Sequence, residues 1–327
     1  MKNSSIILKI INGIEVAPTL KNSSSVGTIC DIYGVEVVST LNFHLPLSIL
    51  VTVISFLTTV LNGIYIVVMC RSKCKLSLSN LLYLMLAITD ISAGAMLMPV
   101  YSTHWIYALY EGTNCAMLEY VNVVGHALAT VSAAAIAFIT VDLGVSITYP
   151  FFYERTFTRK RLLFVNVATW FISLATPICF IVISSKHWYV YQNISTGIAI
   201  FVVFTLCLMH LKIYKEIKKL SVKINYNDNT QINRLKMRRK SIKLGTFILL
   251  TFSLCFLPLC LCFVYSVTVG NSSTFVSYTQ QAAICIIFLN PMLDPFVYYF
   301  RLNTIRKKVR QLFLSSVENE GQTTCKT

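Results

Sequence analysis

Seven stretches, at residues 46–70, 78–101, 116–142, 162–183, 196–217, 242–268 and 278–300, are almost continuously apolar. Each has the roughly 20 residues that a helix needs to cross a hydrocarbon layer about 30 Å thick. Barrel strands are shorter and alternate in polarity, and an open backbone in lipid satisfies its hydrogen bonds only as a helix. The pattern therefore predicts an all-α fold, a seven-transmembrane helix bundle spanning residues 46–300, with an N-terminal segment at 1–45 and a tail at 301–327.

Composition agrees. Of 327 residues 55% are hydrophobic and 13% charged, against about 25% charged in a soluble domain, and the mean hydropathy is +0.67. The bases set the orientation, because cytoplasmic loops are enriched in Lys and Arg. The loops after spans one, three and five and the C-terminal tail hold 24 of the 28 bases. That distribution puts the N-terminus outside and accounts for the net charge of +15 without nucleic acid. Four N-glycosylation sequons, at Asn3, Asn22, Asn193 and Asn271, fall in segments expected on the outer side. Lys9 and Asn12 interrupt the only early apolar stretch, so the first span is expected to serve as the insertion signal.

Most of the 11 cysteines lie within spans or at their inner ends, where they read as small packing residues. Only Cys30 and Cys115 are clearly on the oxidising side; a bridge between them and two free thiols are both open readings.

Polar groups at membrane depth are costly and mark function by default. Here they are Asn62, Asp90, Asn122, His126, Asp142, Asn290 and Asp294. With Ser132, the set Asp90, Asp294, Asn290 and Asn62 is expected to converge near the middle of the bundle. Two carboxyl groups in low dielectric cannot both ionise cheaply, so the cluster reads as a site for a shared proton or a cation such as sodium. A purely structural knot joining spans one, two and seven is the competing reading.

These residues carry a resemblance. Asn62, LAITD (86–90), Trp170, CFLP (255–258) and DPFVY (294–298) resemble, in order and spacing, the motifs of class A (rhodopsin-like) G-protein-coupled receptors. CFLP has Phe256 where the family has tryptophan, and DPFVY is a DPxxY form of NPxxY. YFRLNTIRKKVRQLF (299–313) is similar to the family's short amphipathic eighth helix. The DPxxY ending, the lack of a proline in the middle of span five and the short loop after span four are similar in scaffold to melanocortin, adenosine, lysophospholipid and cannabinoid receptors. The resemblance assigns activation roles to Asp142, Leu143, Phe252, Phe256, Pro258, Asp294, Pro295 and Tyr298.

It also exposes departures. IAFITVDLGVSITYP (136–150) stands where the family has its DRY segment, so Leu143 replaces the arginine and Gly144 the tyrosine. The family's arginine clamps the resting state through an acid and then reaches the G protein; leucine can do neither. Arg238 stands where many relatives have the acid partner, and His210 near an expected tyrosine. The ionic lock is thus expected to be absent, with Asp142 paired to Arg155, Arg159 or Arg161, or capping the helix end in water. Leu118 occupies the place of the family's span-three cysteine, so its usual disulfide is expected to be lost.

The resemblance puts a ligand pocket at the outer end of the bundle, and Glu119, Asn122, His126, Phe256, Phe263 and Gln281 are the candidate ligand-binding residues. Gly125 and Phe288 replace the residues by which amine receptors and opsins hold their ligands, which disfavours both; a small apolar molecule or a peptide stays open as ligand. The aromatic cluster Tyr101, His104, Trp105, Tyr107 and Tyr110 reads as an interfacial belt. Three functions compete: a ligand-activated receptor of the plasma membrane working through G protein and arrestin, a receptor homologue impaired by Leu143 that binds ligand or partner, and a transporter or membrane enzyme. The last is disfavoured, since neither inverted repeats, broken-helix pairs nor metal-ligand spacings occur.

Overall fold

The computed structural model describes residues 41–71, 78–110, 114–184, 188–222, 229–269 and 274–301. These residues are helical apart from short joints, and no strand occurs among them. Span one is Leu41–Cys70. Span two runs as Leu78–Ser92, a π turn Ala93–Leu97, and Met98–Tyr110. Span three is Cys115–Thr148, followed by a short helix Pro150–Thr156; span four is Arg159–Ser184, span five Trp188–Val222 and span six Asn229–Val269. Span seven is Thr274–Ile287 and Leu289–Arg301, with a turn at Phe288. The first helix therefore starts within the segment expected to precede the membrane, and the predicted eighth helix lies outside the described residues.

Six spans, the second with its π turn inside it, are long and apolar enough to cross a membrane. The seventh is interrupted at Phe288, and its sequence explains why. Pro291 has no N–H for the carbonyl of Ile287, and Pro295 has none for that of Pro291, so two successive turns each lose a helical bond. Span six contains Pro258 in the same sense. With 41 residues it reaches roughly 60 Å, about twice the apolar thickness of a bilayer. Its N-terminal part, with Arg238 and Arg239, extends the bundle on the basic side.

Spans one and two pack closely because Gly94 sits in the π turn. A side chain there would come within 2.8 Å of Thr59 Oγ1 and 3.0 Å of Thr58 Cγ2, while Ser55 Oγ donates to the Gly94 carbonyl at 2.6 Å. Small residues bring membrane helices together in this way. Three apolar clusters then lie along the bundle. A central one joins Tyr65, Leu82, Leu86, Ile136, Leu206, Ile248 and Phe252. The second joins Val51, Leu97, Tyr101, Trp105, Leu128 and Phe288, and the third consists of Leu143, Ile147, Ile213, Ile217 and Ile242. Large apolar residues such as Phe164, Phe171, Phe201 and Phe204 point outward, as they must where the solvent is lipid.

The aromatic cluster of span two corrects the belt reading. Tyr101, His104 and Trp105 are buried inside the bundle. The span continues to Tyr110, and the extra residue of the π turn rotates everything after it relative to a regular helical wheel.

Candidate functional site

The mid-bundle knot forms around Asn62, which is fully buried. Its Nδ2 donates to Thr58 O at 3.0 Å and to Pro291 O at 2.9 Å. The second acceptor is the carbonyl that Pro295 leaves without a helical donor, so an amide on span one repairs the proline-broken turn of span seven. Asp90, Asn290 and Asp294 are also buried, and the two carboxyl groups lie close enough for their charges to interact. Asp90 on span two and Asp294 on span seven therefore lie side by side. Ser132 is half-buried and makes no hydrogen bond to them among the described residues.

The knot is richer in acceptors than in donors. Asn62 Oδ1, Asp90 Oδ2, Asn290 Oδ1 and both carboxyl oxygens of Asp294 are buried without a hydrogen-bond partner among the described residues. Unpaired acceptors at this depth are costly. Five oxygens are the donor set of a hard cation and unsuited to a soft one, so the residues fit sodium, or a proton shared by the carboxyl pair. No group of three His, Cys, Asp or Glu that could hold another metal occurs among the described residues.

At the basic end of the bundle, Asp142 departs from expectation. It is 5% exposed, neither water-capped nor paired with Arg155 or Arg161. Tyr153 Oη donates to its Oδ1 at 2.6 Å and Ser79 Oγ to its Oδ2 at 2.7 Å. Arg161 instead donates to the Thr156 carbonyl at 3.1 Å. Hydroxyls suit the place better than guanidinium, because a half-buried neutral donor satisfies a carboxylate without a second charge to desolvate. Burial, and then the Asp142 carboxylate, hold the Tyr153 hydroxyl above its usual range, so Tyr153 remains a donor at physiological pH. The tie fastens the short helix Pro150–Thr156 to spans two and three. Sequence reasoning missed both partners, although Pro150 at the first turn of a helix was a signal that would have placed Tyr153 one turn in.

Leu143 faces the other way. It is buried with Ile147, Ile213, Ile217 and Ile242, one apolar cluster drawn from spans three, five and six. Gly144 and Gly245 permit this packing: a side chain at Gly144 would meet Ile213 Cδ1 at 3.2 Å, and one at Gly245 would meet His210 Nε2 at 3.2 Å and Leu143 Cδ2 at 3.6 Å. Where the resembled family has an ionic lock, this chain has a continuous apolar contact.

The candidate pocket residues lie on spans three, six and seven. His126 meets Tyr191 edge to face at 5.7 Å, and Glu119 and Asn122 are half-buried on the same helix. Phe256 stacks on Phe252 at 4.9 Å, lower in the bundle, and Phe263 is half-buried. Gln281 is committed elsewhere, its Oε1 2.9 Å from His44 Nε2. Asn193 lies in the helix Trp188–Val222. The side chains of Cys115 and Tyr298, and residues Asn3, Asn22, Cys30 and Asn271, fall outside the described residues.

No curated protein matches the chain in a direct comparison. Residues 61–298 match the family of 7 transmembrane receptors (rhodopsin family). That match runs from the Asn62 end of span one to Tyr298, and covers well over half the chain, including the polar knot and the Asp142 anchor. A multi-pass helical membrane protein with these features in this order belongs to the rhodopsin family of seven-transmembrane receptors.

Proposed function

We propose that the chain is a plasma-membrane receptor, N-terminus outside, that answers an extracellular small apolar molecule or peptide by rearranging its cytoplasmic face. The observation that carries this reading is the apolar cluster of Leu143, Ile213, Ile217 and Ile242. It joins the helices that must separate to admit a G protein, and it fills the cleft between them with apolar side chains. Packed elements of this kind are bistable and switch between discrete arrangements.

The same cluster favours a second reading, in which the receptor binds ligand but activates G protein weakly, because Leu143 offers no charge-assisted contact to a partner. The basic residues Lys218, Lys219, Arg238, Arg239, Lys240, Arg306 and Lys307 favour anionic lipid or an acidic partner at this face. Asp90, Asn62, Asn290 and Asp294, with Ser132, would hold sodium or a shared proton, whose charge would tie span two to span seven. Scaffold likeness to the melanocortin, adenosine, lysophospholipid and cannabinoid group rests on DPFVY and the short loop after span four.

Cells expressing the chain should be screened with lipids, nucleosides and peptides, reading cAMP, calcium and arrestin, with substrate flux as control. Ligand-dependent cAMP or calcium supports the receptor, arrestin or binding alone supports the impaired form, and flux refutes both. Glycans should appear on Asn3, Asn22, Asn193 and Asn271. A glycan on a sequon engineered between residues 220 and 235 would reverse the topology.

A further inference from the structure

Two of the five histidines lie against one tryptophan. His44, on span one, stacks on Trp105 with ring centroids 4.5 Å apart, and His104 meets the same ring edge to face at 5.1 Å. Both imidazoles are buried, His44 at 0% and His104 at 2% exposure. His44 Nε2 is 2.9 Å from Gln281 Oε1 on span seven, whereas His104 Nδ1 has no hydrogen-bond partner among the described residues. The cluster is thus the place where the ends of spans one, two and seven meet. Hydroxyl bonds from Ser102 to Ser48 O at 2.9 Å and between Thr52 and Ser102 at 2.8 Å close it below.

We propose that His44, His104 and Trp105 form an acid-sensitive joint through which extracellular protons regulate the receptor. The inference rests on the reading that this end of the bundle faces outward. Histidine is the side chain whose ordinary titration, near pH 6.5, falls within the range that extracellular fluid visits. The titratable groups around the pair are Tyr278 from span seven, against the His44 ring, and Tyr101 from span two, against Trp105 and in turn beside Cys285 of span seven. Among the described residues no carboxylate pairs with His104. A first proton on His44 is tolerable, because a cation can stack on Trp105 and still donate to Gln281. A second, on His104, puts two positive charges close together in an apolar setting, and the closed packing loses to separation of the helix ends.

The neutral forms therefore favour the closed joint, which is complete above the ordinary histidine range and is lost as pH falls through and below it. Separation would be felt further in. Trp105 meets Tyr101 at 6.0 Å, and Tyr101 meets Phe288 at 5.2 Å, the residue at the turn of span seven. From there the helix carries Asn290 and Asp294. This contiguous aromatic chain gives the joint a physical route to the polar knot.

The test uses the full chain in nanodiscs. Between about pH 7.5 and about pH 6 the wild-type melting midpoint should fall by about 2–4 °C, with amide exchange increasing at residues 41–50, 98–108 and 278–288. His104→Gln, and His44→Gln with His104→Gln, should abolish both changes. If the double variant does not fold, the single variant and the wild-type exchange map decide. A flat wild-type profile, uniform exchange along the chain, or variants that keep the wild-type pH response would overturn the proposal. In cells carrying a conformational sensor on span six, external acid at clamped internal pH should give the response; a response to internal acid alone would overturn the proposal through the orientation it rests on. None of these readouts needs a G protein, so a failure of ligand-dependent signalling would leave them standing.

Discussion

Leu143→Arg is expected to raise maximal nucleotide exchange on a reconstituted G protein by roughly tenfold, the equivalent of one charge-assisted hydrogen bond regained in the signalling state. It should raise basal exchange as well. In the resting state the substitution drives a guanidinium among Ile147, Ile213, Ile217 and Ile242, and burying a charge in such surroundings costs several kcal/mol. Asp142, the nearest acid in sequence, already accepts from Tyr153 and Ser79 and could pair with the new group only by giving up those bonds. Closed packing is therefore penalised while the open cleft gains a contact. Lowered thermal stability should accompany the gain in exchange. Robust wild-type exchange that the substitution leaves unchanged or lowers would mean that the chain couples by another route.

Asp90→Asn and Asp294→Asn should each flatten the dependence of thermal stability on sodium. A cation that binds only the folded bundle stabilises it by about 2.7 kcal/mol at 100 times its dissociation constant. The orphaned oxygens of Asn62, Asp90, Asn290 and Asp294 supply the site. Protons compete for the same carboxyl oxygens, so lowering the pH should reduce the sodium effect in the wild type. Replacing sodium by a bulky organic cation at constant ionic strength separates binding from screening. Wild-type stability indifferent to sodium and to pH, with variants equally indifferent, would leave the cluster a structural knot.

The spans were legible in the sequence because lipid imposes one rule on every residue of a helix, and their order gave the family motifs their places. The knot of Asn62, Asp90, Asn290 and Asp294 was legible for the same reason: buried polar groups stand out in an apolar run. Less legible were contacts that depend on the partner helix. Charge alone favours Arg155 as the partner of Asp142, and the helix start at Pro150 is what sets Tyr153 against it instead. Trp105 reads as an interfacial aromatic until the π turn at Ala93–Leu97 is known to rotate it inward. The turn at Phe288 could have been read from Pro291 and Pro295, because each proline removes a named backbone donor. That Leu143 completes an apolar cluster required knowing which residues of spans five and six face it; the sequence showed only that an arginine was missing.

The central claim is that apolar packing around Leu143 holds the basic-side ends of spans three, five and six together. Spin labels at the exposed positions Thr148 and Arg239 report the separation of spans three and six directly, without ligand or G protein. The wild type should give one short distance, and Ile242→Ser, which places a hydroxyl among Leu143, Ile213 and Ile217, should add a longer population. Identical distance distributions in the two proteins would contradict the account.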